Sequence, residues 1–180
     1  DGRARGGHAA RPGALGTGTV AIAAGANFLP WYNAGSPVIT NNFTLNGLGG
    51  NPGDGNKGAI YADGGAGGHS EYVLTGTVTL AATSDIGGNN VNNQRLLGPV
   101  TGPGGLTKGS GRADENSTLV LGNSANDYAG DTVVLNGGLR LGSSQVIPDG
   151  AGKGKLVMSA GTTLDLAGNS ETINNLSGTG

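Results

Sequence analysis

Hydrophobic and polar residues alternate along this chain in short runs separated by glycine. Over residues 126–142, Thr132 and Val134 share one face of a first run, and Leu139 and Leu141 share one face of a second. Gly137-Gly138 separates the two and Gly142 closes the unit. A period of two is that of a strand with one buried face, and paired glycines mark a tight corner. The device recurs at Leu156-Val157-Met158, Gly161, Leu164-Asp165-Leu166 and Gly168. Earlier extended runs are Thr19 to Ile22, Val38 to Leu45, Ala59 to Tyr61, Tyr72 to Leu74, Thr77 to Leu80, Leu106 to Lys108 and Ser117 to Leu121. Residues 46–58 and 64–69 read as loops, and Ile86 is expected to lead into a turn at Gly87-Gly88-Asn89-Asn90.

No stretch has a 3.6-residue period. Strand-like runs return about every 20 residues, a solenoid spacing. A sandwich would show longer hairpins with two-residue Asn-Gly or Asp-Gly turns. The pattern therefore predicts an all-β fold: a single-stranded parallel β-helix with Gly/Asn-rich corners and loops, right-handed as crossovers generally are. At roughly 20–25 residues per turn it predicts about seven to nine rungs, and at ~4.8 Å per rung a stack about 35–45 Å long.

Composition sharpens this. Of 180 residues, 39 are Gly, without a Gly-X-Y period, so the excess belongs to corners rather than to collagen. Aromatic content of 4% predicts a thin core of Val, Leu, Ile and Thr. A net charge of −2 with both signs scattered gives no footprint for nucleic acid. No apolar run reaches the roughly 18 residues of a spanning helix. There is no cysteine, so stability must come from stacking rather than disulfides. Residues 1–13 are expected to form a separate basic arm with Arg3, Arg5 and Arg11, read either as a flexible leader or linker or as a segment held on its own solenoid or a neighbouring chain; residues 14–180 are expected to form the solenoid domain. Beginning at Asp1 without a leader, the chain reads as a processed product or a piece of something longer.

The segments Gly104-Gly105-Leu106-Thr107-Lys108, Ser117 to Gly122 and Asn126 to Gly142 resemble the autotransporter-associated β-strand repeat. That repeat has a Gly-Gly-Leu-Thr-Lys start, a Thr-Leu-x-Leu strand, an Asn-x-Tyr-x-Gly-x-Thr corner and a Gly-x-Leu-x-Leu-Gly strand. Asn126, Tyr128, Gly130, Thr132, Gly138, Leu139, Leu141 and Gly142 match it without a gap, and Leu164 and Leu166 match the segment usual just downstream of it. The resemblance is strong over 102–180 and looser over 14–100. One departure is the charged insert of residues 109–116, which disturbs the expected strand register. The resemblance implies large secreted bacterial surface proteins with parallel β-helical stalks.

Candidate chemistry is sparse. His8 and His69 lie in the arm and in a Gly loop and read as solvated, so no metal site or His-dependent nucleophile is expected. Polysaccharide-cleaving β-helices need two or three carboxylates on neighbouring rungs. Here Asp127, Asp131, Asp114, Glu115, Asp165 and Glu171 are read as mostly outward turn or strand positions. Gly49 to Asp54 has the wrong spacing for a calcium nonapeptide. No catalytic residue, cofactor or metal ligand is therefore assigned. Trp31 and Tyr32 could offer an aromatic platform to a sugar, although such a pair more commonly covers an end rung. Asn89-Asn90, Asn92-Asn93 and Asn174-Asn175 are expected to build amide ladders.

Solenoid ends need caps, and none is visible. The expected function is an extracellular structural protein: a β-solenoid subunit or segment of a bacterial surface fibre, stacked on copies of itself or on the rest of a longer solenoid. The alternative is an adhesin passenger binding surface glycans through residues 30–37 or 46–58. An enzyme acting on polysaccharide ranks third.

Overall fold

The computed structural model describes residues 15–30, 36–50, 58–63, 71–89, 93–110 and 115–179. Among them there is no helix. The strands are β1 (Val20–Ile22), β2 (Val38–Ile39), β3 (Phe43–Leu45), β4 (Ile60–Asp63), β5 (Tyr72–Leu74), β6 (Val78–Leu80), β7 (Ser84–Asn89) and β8 (Asn93–Leu96). They continue with β9 (Val100–Thr101), β10 (Leu106–Lys108), β11 (Thr118–Leu121), β12 (Thr132–Val134), β13 (Gly138–Leu141), β14 (Leu156–Met158), β15 (Thr163–Asp165) and β16 (Leu176–Gly178).

These strands pair in parallel throughout, in three sheets: β1-β3-β6-β9, then β16-β14-β12-β10-β7-β4, then β15-β13-β11-β8-β5-β2. From β6 the chain visits the second sheet at β7 and the third at β8, then returns to the first at β9, beside β6. Each interior strand thus bonds to the turn before and the turn after, which makes the fold a β-solenoid. Period-two alternation explains which residues enter. Phe43 and Leu45 on β3, Val78 and Leu80 on β6, and Tyr72 and Leu74 on β5 are buried, with half-exposed residues between them. Register stacks like on like: Leu74 on Leu96, Leu96 on Leu121, and Leu121 on Leu141. Fully burying each such aliphatic side chain is worth about 1.5–3 kcal/mol, so these columns carry the stack.

Several expectations are corrected. Among the described residues the two larger sheets have six strands each rather than seven to nine rungs. Turn length is uneven: Thr118 partners Gly138, 20 positions on, whereas Phe43 partners Val78, 35 positions on. Positions 46–58 and 64–69 both fall within the long turn's span of sequence, and the described stack is about 25–30 Å long at ~4.8 Å per rung. Val38 to Leu45 is not one strand, because a corner at Asn41-Asn42 splits it into β2 and β3. Gly87 and Gly88 do not form a turn; they extend β7 and pair there with Tyr61 and Ala62 of β4. A Cβ on Gly87 would strike the Glu115 carboxylate, and one on Gly88 the Gln94 amide, so a larger residue there would have to displace those buried side chains. Finally, the core is less thin than expected, since Phe43, Tyr72 and Tyr128 are fully buried within it.

Candidate functional site

The repeat signature forms a corner where the first sheet runs out. Among the described residues no strand continues that sheet after β9. Residues 126–129 cover its place, with Asp127 N bonded to Val100 O and Ala129 N to Gly102 O. Asn126 ties three successive turns together: its Oδ1 accepts from Val100 N at 2.8 Å and its Nδ2 donates to Val146 O at 2.7 Å. Tyr128 is fully buried, its hydroxyl 2.6 Å from Thr132 Oγ1, and burial pushes the phenol up beyond any ordinary titration range. At Gly130 an added Cβ would lie 2.6 Å from Gly105 N of the preceding turn, so the close approach of two backbones demands glycine. Asp131 Oδ1 accepts from Lys155 N at 3.0 Å on the following turn. Gly138, Leu139 and Leu141 are buried in β13 and Gly142 N donates to Leu121 O. Leu164 packs partly against the core, while Leu166 is 45% exposed. This corner is built for stacking.

A second polar corner went unforeseen. Asp85 is 1% exposed, and its Oδ1 accepts from Gly49 N and Ala59 N, each at 2.8 Å. Burial pushes its carboxyl up, against the pull of those N–H groups. Glu115, expected in a solvated loop, is 4% exposed; its carboxylate accepts from Ser110 N at 2.6 Å and Ser110 Oγ at 3.1 Å. Lys108 is 1% exposed and burial lowers its ammonium to about 8, with Glu115 opposing the drop. Glu171 also departs from a free turn position: Val146 N and Ile147 N bond to it, and desolvation pushes its carboxyl up. Among the described residues no three His, Cys, Asp or Glu side chains converge to hold a metal ion.

A shallow groove of about 480 Å³ crosses the third sheet near the starts of its strands. Asn93, Thr118, Gly138 and Thr163, in register on β8, β11, β13 and β15, line it together with Arg140 and Asp165. The last two form an exposed ion pair at 3.4 Å.

Asparagines do join the turns, but by pinning backbone rather than by stacking amide on amide. Asn41 Nδ2 donates to Gly16 O and Gly18 O, and Asn123 Nδ2 donates to Leu97 O. Asn169 Nδ2 donates to Leu141 O, and Asn174 Oδ1 accepts from Gly150 N. Asn93 reaches Glu71 instead. The arm with Arg3, Arg5 and Arg11, the pair Trp31 and Tyr32, both histidines, Asp114, Asn90 and Asn92 all lie outside the described residues.

No family model matches the chain, and no solved structure does. The adhesin BmaC autotransporter of Brucella suis biovar 1 (strain 1330) is 34% identical over 172 residues, which is 94% of this chain. The chain spans 4% of the length of that protein. Along nearly all its length the chain is thus homologous to a stretch of an autotransporter adhesin, and its parallel β-solenoid is consistent with a passenger of the autotransporter-associated β-strand repeat type.

Proposed function

We propose that the chain is a stiff, non-enzymatic solenoid segment of an extracellular bacterial surface protein of the adhesin-passenger kind. Its ends stack on more solenoid, either a second copy of the chain or further rungs of a longer one. The observation that carries this reading is the state of the two ends. Among the described residues β1 and β2 at one end, and β15 and β16 at the other, each pair with a single strand and leave one edge without a ladder. Apolar side chains cluster there: Val38 is 54% exposed, Leu166 45% and Leu176 58%. Unpaired parallel edges backed by exposed aliphatics are templates for another rung. Against catalysis, Asp85, Glu115, Asp131 and Glu171 spend their oxygens on main-chain N–H groups of the scaffold.

Electron microscopy of the purified chain over a range of concentrations tests this. Regular filaments, or rods whose length grows with concentration, are the expected result. Monomeric short rods at every concentration would remove self-stacking and leave only stacking within a longer chain.

A second reading, glycan recognition, is favoured by the groove across β8, β11, β13 and β15, whose amide, hydroxyl, guanidinium and carboxylate groups suit a polyol. Glycan-array binding compared between the parent chain, an Arg140→Ala/Asp165→Ala variant and a Trp31→Ala/Tyr32→Ala variant decides between the groove and the aromatic pair. Binding by none of them removes the reading.

A further inference from the structure

Lys108 stands where a β-solenoid carries an aliphatic side chain. It shares its face with Leu106, and its register partners are Ile86 on one side and Val134 on the other, all three fully buried. Its Nζ donates to the main-chain O of Asn136 on the next turn at 3.2 Å. Asn136 supplies the complementary group. Its side-chain Oδ1 is buried without a hydrogen-bond partner. It lies against Gly109, the residue after Lys108: a Cβ placed on Gly109 would be 3.2 Å from both Asn136 Cβ and Asn136 Oδ1. A buried amine and a carboxamide whose buried oxygen is unsatisfied therefore share one corner.

Two costs meet there. A buried ammonium whose hydrogen bond goes to a neutral carbonyl is compensated only in part by the Glu115 charge, and an orphaned amide oxygen forfeits its hydration. Burial already shifts Lys108 toward its neutral, nucleophilic form, to about 8. Holding a nucleophile beside an electrophile replaces a bimolecular encounter with a unimolecular one, at effective concentrations of about 10⁵ M or more when well oriented.

We propose that Lys108 and Asn136 become joined by an intramolecular amide bond. The Nζ lone pair attacks Cγ of Asn136, the Nζ–Cγ bond forms and the Cγ–Nδ2 bond breaks. A proton from Nζ leaves with the departing nitrogen as ammonia. The exchange is one amide for another, with no oxidant or reductant. The new N–H can still donate to the Asn136 main-chain carbonyl that now holds the ammonium. The product staples the turn of β10 to the turn of β12 in a chain that has no cysteine to do so.

The test is the intact mass of the folded chain, with a peptide map, after incubation at pH 7 and pH 9. Expected is a mass ~17 Da below that of the sequence, one ammonia, and a branched peptide joining Lys108 to Asn136. The branched peptide should appear faster at pH 9, where more of the amine is neutral. Asn136-Gly137 can lose the same mass by closing a succinimide on its own backbone, so Lys108→Arg is the discriminating variant. Loss of ~17 Da in the parent but not in Lys108→Arg supports the bond. The same loss in both, or full mass in the parent after pH 9, overturns it. The peptide map decides by itself if Lys108→Arg does not fold.

Discussion

Tyr128 shows how one side chain of the repeat signature serves the stack. Its ring fills the space beyond the last strand of the first sheet, and its hydroxyl meets Thr132 Oγ1 at 2.6 Å. Tyr128→Phe keeps the ring and leaves the Thr132 hydroxyl without this partner, a loss of about 1 kcal/mol. Tyr128→Ala empties the site and should cost about 3–5 kcal/mol. Urea denaturation of the two variants checks the ranking, and equal costs would mean that the ring packs loosely. Asp85 makes a pH prediction. Its folded pKa is raised above the unfolded 3.8, so its contribution to stability is present below that value. That contribution is lost as pH rises through the raised folded value. Asp85→Asn keeps an oxygen for Gly49 N and Ala59 N but cannot ionise. The stability of Asp85→Asn relative to the parent should therefore climb as pH rises above 3.8 and level off once pH has passed the raised folded value; a difference independent of pH would contradict the assignment.

At the scale of the strand and corner, the backbone approach at Gly130 is the most restrictive feature. Gly130→Ala forces its methyl against Gly104 and Gly105 of the neighbouring turn, both backbone, so no side chain can swing aside. Overpacking of this kind costs about 1–3 kcal/mol or more, read as a fall in the denaturation midpoint. Gly150→Ala is a useful contrast, since a Cβ there meets nothing within 4 Å and the cost comes from its positive φ of 91° alone. Elements were legible in the sequence where alternation was clean: β5, β6, β12, β13 and β14 follow directly from their aliphatic spacing. The pattern was silent where burial depends on distant chain. Asp85 is covered because Gly49 and Ala59, far from it in sequence, bring their main-chain N–H groups to its carboxylate, and Glu115 because Gly87 leaves room for a carboxylate. Nothing local marks either one. Lys108 carried a weak signal, as it shares a face with Leu106 in a strand, but a terminal lysine in a Gly-Gly-Leu-Thr-Lys run reads equally well as an exposed end.

For the molecule as a whole, the decisive quantity is what covers the two ends. Val38 and Leu176 lie on terminal strands at opposite ends of the stack, each more than half exposed and each beside an edge that no strand among the described residues pairs with. A charge at such a position blunts an edge without touching the core. Val38→Lys and Leu176→Glu, made separately, should leave the β-sheet circular-dichroism signal in place and shift the sedimentation of the purified chain toward single rods. If ends meet head to tail with each sheet continuing into the next copy, β2 seats on β15 and β16 on β4, so the two changes act on one junction through different sheets and the double variant should lower association further than either single variant. Full association in both single variants would show that the apolar ends do not drive stacking. The solenoid would then be left as a self-sufficient rod whose further rungs come only from its own polypeptide.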